Sequence, residues 1–169
     1  MIQKISIKKT ENYLKLKEIA LGGIPWYYHS STSPRSEDFP FFGHAIVSTP
    51  RIPNLFPTYC SDHHVICNTV LTEIFRENYI DVKCVFRAGL NMSLPLISDA
   101  QHSYPHYDHN FDHKNLLVYL TDSDGDTVIC EKNELRNTPK EDTGIIFEGK
   151  HYHYLPTYGR RIVLVCTFM

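Results

Sequence analysis

The chain predicts an α+β fold that is mainly β, with two helices early and a sandwich or barrel at its centre. Two observations predict it. Apolar residues recur at helical spacing only in the first half of the chain, and from residue 80 onward the sequence becomes short runs rich in Val, Ile, Leu, Tyr and Phe, punctuated by turn residues. With 169 residues the chain is long enough to bury a core as one domain without disulfide or metal staples.

Residues 10–21 (TENYLKLKEIAL) place Tyr13, Leu14, Leu16, Ile19, Ala20 and Leu21 mostly at helical spacing. Thr10 is the expected N-cap, and Gly22 and Gly23 stop the helix. Ile24 to His29 is aromatic and extended, residues 30–40 have the composition of an exposed loop, and Phe41 to Ser48 reads as a strand. A second helix is expected over 61–78. There Ser61 and Asp62 supply caps, and Val65, Ile66, Val70, Leu71, Ile74 and Phe75 form a stripe that should pack on a sheet. Strands are expected over 82–91, 115–121, 126–131, 144–148 and 161–168.

Composition excludes several classes of function. Lys plus Arg number 17 against 19 Asp plus Glu, so no net charge steers the chain to nucleic acid or an anionic membrane. The five cysteines (Cys60, Cys67, Cys84, Cys130 and Cys166) are odd in number and form no C-x-x-C, which fits reduced thiols. The first residues lack the apolar run of a signal peptide, and no window approaches the ~20 apolar residues of a membrane span. The expectation is a soluble, cytoplasmic protein.

His106, Tyr107 and Asp108 form an H-x-D, and in an extended chain residues i and i+2 face the same way, so the imidazole and the carboxylate can share one ion. Far downstream, Gly149 to His153 (GKHYH) supplies two further imidazoles, and Arg160 and Arg161 open the last hydrophobic strand. Two imidazoles and one carboxylate on one face of a metal are the ligand set of non-haem Fe(II) oxygenases, because the opposite positions stay open for cosubstrate and O2. An arginine beside such a site suits a dicarboxylic cosubstrate, which its guanidinium holds bidentately. His102, His109 and His113 are read as rim or surface residues, since a facial triad has no place for them. His63 and Cys67 lack the second pair a zinc site requires. In Asp122 to Asp126 the glycine falls at position four rather than six, which favours a tight turn over a calcium loop.

With these motifs, and with the stretches Ile24 to Tyr28, Phe86 to Asn91, Val118 to Thr127 and Arg161 to Leu164, most of the chain resembles the 2-oxoglutarate and Fe(II)-dependent oxygenases. The resemblance is to the small prolyl-4-hydroxylase-like members found in bacteriophages. It implies a double-stranded β-helix (jelly-roll, cupin-like) core with the N-terminal helices packed on one sheet. It divides the single domain 1–169 into a helical and loop part, 1–80, and a metal-binding jelly-roll half, 81–169.

It further implies His106, Asp108 and His153 as metal ligands. His153 is favoured because the family's distal histidine follows a tyrosine, as His153 follows Tyr152, and His151 is the alternative. Arg161 and Tyr119 would hold the far carboxylate of 2-oxoglutarate, Arg87 and Asn91 would line the pocket, and Arg160 would point outward, toward a carboxylate. Tyr119 reads equally as a core aromatic, and Arg87 as part of a structural salt bridge.

The implied cofactors are Fe(II), 2-oxoglutarate and O2, with ascorbate as reductant in vitro. The implied reaction hydroxylates a C–H bond and releases succinate and CO2. Its substrate would be a prolyl or other peptide residue or a small molecule. The protein would be a monomer or homodimer, in the host cytoplasm if phage-encoded. Residues 30–40 and 91–103 are candidate lids. Two other readings keep the jelly roll. One is a cupin-like isomerase or hydrolase using Zn(II) or Mn(II) as a Lewis acid, and the other is a binding module without catalysis.

Overall fold

Alternation along the last strand explains the architecture. In β11 (Arg161–Phe168) every residue is buried, because the strand is covered on both faces. Ile162, Leu164, Cys166 and Phe168 face a core shared with the helices, whereas Val163 and Val165 face a second core enclosed by the strands, and Arg161 shares their side.

The computed structural model describes residues 1–31, 39–48, 57–96, 101–130 and 133–169. In chain order these form β1 (Gln3–Ser6), α1 (Glu11–Glu18) with a π turn over Ile19–Gly23, β2 (Tyr27–His29), β3 (Phe41–Ser48), β4 (Thr58–Tyr59) and α2 (His64–Glu77). There follow β5 (Val85–Ser93), β6 (Lys114–Tyr119), β7 (Thr127–Ile129), β8 (Leu135–Asn137), β9 (Thr143–Phe147), β10 (His151–His153) and β11. The larger antiparallel sheet runs β1-β9-β6-β11-β5-β3-β2, with β4 on β3, and the smaller runs β10-β7-β8. Two sheets facing each other over an internal core make the expected jelly roll.

The helices pack on the outer face of the larger sheet. Cys67, Val70, Leu71, Ile74 and Phe75 of α2, with Tyr13 and Leu16 of α1, cover Ile46, Leu90, Leu116, Val118, Leu164 and Phe168. Thr10 caps α1, its hydroxyl accepting from Tyr13 N at 3.1 Å. The second helix starts later than its capping residues suggest. Ser61 heads a turn, where its hydroxyl accepts from His63 N at 3.1 Å and meets buried His44 Nε2 at 2.8 Å, so it anchors the entry to α2 from outside the helix. Short β1, β4, β8 and β10 escape the sequence pattern because two to four residues carry too little periodicity.

Of the two candidate lids, residues 32–38 and 97–100 lie outside the described residues, and Asn91 to Ser93 belong to β5. Among the described residues no helix is long and apolar enough to cross a membrane.

Candidate metal centre

His106 and His151 are brought together by backbone pairing. His106 N donates to His151 O and His151 N donates to His106 O, both at 2.9 Å, so the segment before Asp108 lies antiparallel against β10. Residues directly opposite in such a pair point to the same face, and the two rings stand 4.6 Å apart between centroids. His153, two residues along β10, projects to the same side, with its ring 5.2 Å from that of His151. Ligand atoms of His106, His151 and His153 all lie within 4.8 Å of one another.

Asp108 closes the group, with Oδ2 3.5 Å from His151 Nε2 and Oδ1 3.1 Å from Arg87. Arg87, Asn91, His106, Asp108, His151, His153 and Arg161 line one cavity of about 80 Å³. A second cavity of about 170 Å³ shares Phe41, Arg87, Asn91 and Val165 with it and runs out over Gly43 and Gly89. Gly89 is forced by close approach, since a Cβ there would stand 2.9 Å from the backbone oxygen of His44, whereas a Cβ at Gly43 would meet only the side chains of His29 and Phe41.

The electrostatics suit a divalent cation. Burial alone would raise the Asp108 pKa, but the Arg87 guanidinium and the neighbouring imidazoles outweigh it and hold the carboxyl at about 2. Burial pushes His151 down to about 4 against the opposing pull of Asp108, and pushes His153 well below the ordinary histidine value, with Arg161 adding to the effect. At neutral pH Asp108 is therefore an anion and His151 and His153 are neutral imidazoles, the protonation states that metal binding requires.

Arg161 lines the cavity and is 4% exposed. Its Nη2 donates to Thr127 Oγ1 at 3.0 Å, its guanidinium carbon stands 5.5 Å from the Tyr119 ring centroid, and its Nε has no hydrogen-bond partner among the described residues. A buried guanidinium held only by neutral groups is costly unless an anion completes it. Arg160 points away, as expected, but donates to Leu21 O at 3.2 Å instead of meeting a carboxylate.

All the expected site residues except Tyr119 line the inner cavity, and Tyr119 stands directly behind it, fully buried. Arg87 lines the cavity and pairs with Asp108. His109 lies close to the site, with Nε2 2.7 Å from Thr167 Oγ1. Cys67 is buried, and all five cysteines are free thiols.

Sequence reasoning missed three residues. Thr127 joins Tyr119, His153 and Arg161, Asn137 Nδ2 donates to the Tyr119 hydroxyl at 3.2 Å, and the Ser103 hydroxyl accepts from His153 N at 3.0 Å. A hydroxyl opening the otherwise apolar run Thr127–Ile129 was the available signal for the first.

No family model matches the sequence, and no curated protein does. Solved structures do match. An oxidoreductase of the 2OG-Fe(II) oxygenase family from Burkholderia pseudomallei superposes with a TM-score of 0.71 at 15% identity, over 94% of this chain and 79% of that one. A Pseudomonas putida prolyl-4-hydroxylase gives 0.60 at 11% identity, over 99% and 91%. A Trichoplax adhaerens prolyl hydroxylase, solved with a peptide fragment of the hypoxia inducible factor oxygen degradation domain, gives 0.63 at 10%, over 99% and 83%. The chain therefore has the fold of the 2-oxoglutarate and Fe(II)-dependent oxygenases, the family its motifs resemble.

Proposed function

We propose that the protein is a 2-oxoglutarate and Fe(II)-dependent dioxygenase that hydroxylates a C–H bond of its substrate. The observation that carries this reading is the pairing, in one cavity, of an imidazole and carboxylate cluster with a buried arginine that has no carboxylate partner among the described residues. The donor set fits iron, since imidazole and carboxylate ligands with open positions opposite them suit Fe(II). Arg161 fits the far carboxylate of 2-oxoglutarate.

His106 and Asp108 would hold the metal with a distal imidazole from β10. His153 was the sequence expectation. The contact between Asp108 and His151, and the backbone pairing of His151 with His106, favour His151. When bound, Fe(II) with O2 supplies oxidative decarboxylation of 2-oxoglutarate to succinate and CO2, and the oxidising power that hydroxylates the C–H bond.

The chain supplies aim and shelter. Arg161, with Tyr119 and Thr127 fixing its head group, selects a dicarboxylate, because a monocarboxylic 2-oxo acid would leave the guanidinium unmatched. Arg87 orients the Asp108 carboxylate. Asn91 and the apolar walls from Val163 and Val165 narrow the inner cavity. The outer cavity floored by Gly43 and Gly89 is the place for the substrate, and a prolyl or other peptide residue is the class that the fold relatives suggest.

The test is succinate formation from 2-oxoglutarate by anaerobically purified protein given Fe(II), ascorbate and air, with Asp108→Ala as control. Succinate that needs both iron and Asp108 is expected. No succinate, together with no shift of melting temperature by 2-oxoglutarate on the metal-loaded protein, would sink the proposal.

A further inference from the structure

The three converging imidazoles differ in what holds their far nitrogens. His106 Nδ1 lies 2.9 Å from Tyr104 O, and His151 Nδ1 lies 3.3 Å from Gly149 O. A carbonyl only accepts, so in both rings the proton sits on Nδ1 and Nε2 presents a lone pair to the site. Both are set as metal ligands of the kind whose second nitrogen is tied to the backbone.

His153 is held by a hydroxyl, and the hydrogen bonds around that hydroxyl set its tautomer. Its Nδ1 lies 3.1 Å from Thr127 Oγ1. That oxygen accepts from Arg161 Nη2 at 3.0 Å, and guanidinium has no other role than donor. It also accepts from the Tyr119 hydroxyl at 3.1 Å, which itself accepts from Asn137 Nδ2. A threonine hydroxyl has two lone pairs and one proton; with both lone pairs engaged, the proton goes to His153 Nδ1. The ring proton of His153 is therefore on Nε2, in a ring that lines the same cavity as the other two imidazoles. A nitrogen carrying that proton donates a hydrogen bond and offers no lone pair to a metal.

We infer that His153 is a cosubstrate-positioning residue, whose Nε2–H donates to an oxygen at the 2-oxo acid end of 2-oxoglutarate while Arg161 holds the other end. Thr127 joins the two donors through one hydroxyl, so both ends of the ligand are read by one connected network. This inference rests on the oxygenase reading and adds to it a second determinant of cosubstrate choice.

The experiment measures two affinities separately, that for Mn(II) by competition with a chelating dye and that for 2-oxoglutarate by calorimetry on the Mn(II)-loaded protein. The proteins are wild type, His151→Leu, His153→Leu and His153→Gln. His151→Leu is expected to lose at least about 10-fold in metal affinity, as for loss of a metal-site group. His153→Leu is expected to keep its metal affinity and to bind 2-oxoglutarate about 10-fold or more weakly, the effect of losing a hydrogen bond to a charged group. His153→Gln, whose amide can place an N–H near the same point, should recover most of that loss and also serves if the leucine variant fails to fold. A fall in metal affinity in His153→Leu equal to that in His151→Leu would make His153 a ligand and overturn the inference. Unchanged 2-oxoglutarate binding in both His153 variants would overturn it too, while leaving the oxygenase reading in place. Failure of metal-loaded wild type to bind 2-oxoglutarate would remove both.

Discussion

Asp142 and Arg161 are charged groups at opposite ends of the same tyrosine's contacts, and they are treated differently. Outside the jelly roll, Asp142 N donates to Tyr119 O at 2.9 Å, and its carboxylate takes the Tyr13 hydroxyl at 2.7 Å, Lys17 at 2.5 Å and Lys9 at 2.6 Å. Inside, Arg161 leans on the Tyr119 ring and Thr127 but meets no carboxylate within ion-pair distance among the described residues. The first charge is matched within the chain, tying α1 to the start of β9. The second is matched only in part, and the proposed reading gives its open side to the far carboxylate of 2-oxoglutarate. A fold can tolerate such a group only if the rest of the structure holds it, which Thr127 and Tyr119 do here.

Replacing the two charges should therefore have opposite effects. Arg161→Met is expected to weaken 2-oxoglutarate binding by about 100-fold or more, in line with the roughly 2–5 kcal/mol lost when one member of a buried charge pair is truncated. Without cosubstrate, the same variant should be as stable as wild type or more so by about 1 kcal/mol, because an incompletely matched buried cation has been replaced by an apolar chain of similar length. Titration calorimetry and urea unfolding separate the two quantities. A large loss of stability in the ligand-free protein would show that Arg161 is structural and would end the contrast.

Asp142→Ala should do the reverse. Removing the acceptor that Tyr13, Lys9 and Lys17 share is expected to cost about 1–3 kcal/mol of folding stability, the scale for leaving the buried Tyr13 hydroxyl unpaired, with 2-oxoglutarate affinity unchanged in the folded protein. An Asp142→Ala variant with wild-type urea midpoint would mean the outer cluster is a solvated surface feature.

Much of this could be read from the residues. The alternation of Arg161 with Val163 and Val165 placed the arginine inside, and the H-x-D spacing placed His106 and Asp108 on one cavity. The choice between His151 and His153 could not be read, because residues two apart on a strand face the same way and sequence carries no signal for a tautomer. What separates them is Thr127, remote in sequence and joined to His153 only by the pairing of β7 with β10. The Asp142 cluster was equally hidden, since it joins α1 to a turn far along the chain through β1 and β9.

Acid sharpens the comparison, because only one of the two charges titrates in reach. Burial would raise the Asp142 pKa, but hydrogen bonds from Lys17, Lys9 and Tyr13 prevail and hold it at about 2, below the ~3.9 of an unfolded aspartate. A depressed folded pKa stabilises the fold in full above the unfolded value, and that contribution disappears as pH falls from about 4 toward about 2. Urea midpoints measured across that window should drop less steeply in Asp142→Asn than in wild type. Parallel curves would mean that other carboxylates carry the acid sensitivity.

The smallest expected effect tests how tightly the inner charge is held. Gly125 lies in the turn before β7, where its N–H donates to the Ser123 hydroxyl at 3.0 Å, and a Cβ there would stand 2.9 Å from Tyr154 O, 3.1 Å from Pro156 N and 3.2 Å from Arg161 Cδ. Two of those neighbours are backbone and cannot swing aside, so Gly125→Ala must shift either the turn or the segment 154–156 that follows β10. Displacing Arg161 by a few tenths of an ångström leaves the guanidinium in place but misaligns it. The expected outcome is a 2-oxoglutarate affinity lowered by roughly 3- to 10-fold, the scale of 1 kcal/mol, with metal affinity unchanged. The same titration on Gly144→Ala is the control. That glycine is also crowded, by Ile5 at 2.7 Å, but it sits on the β1 side of the sheet near Asp142, so its substitution should lower stability and leave the affinity alone. Equal affinity losses in the two variants would show that the inner site responds to any distortion of the jelly roll, and that Arg161 owes its placement to the fold as a whole more than to the turn beneath it.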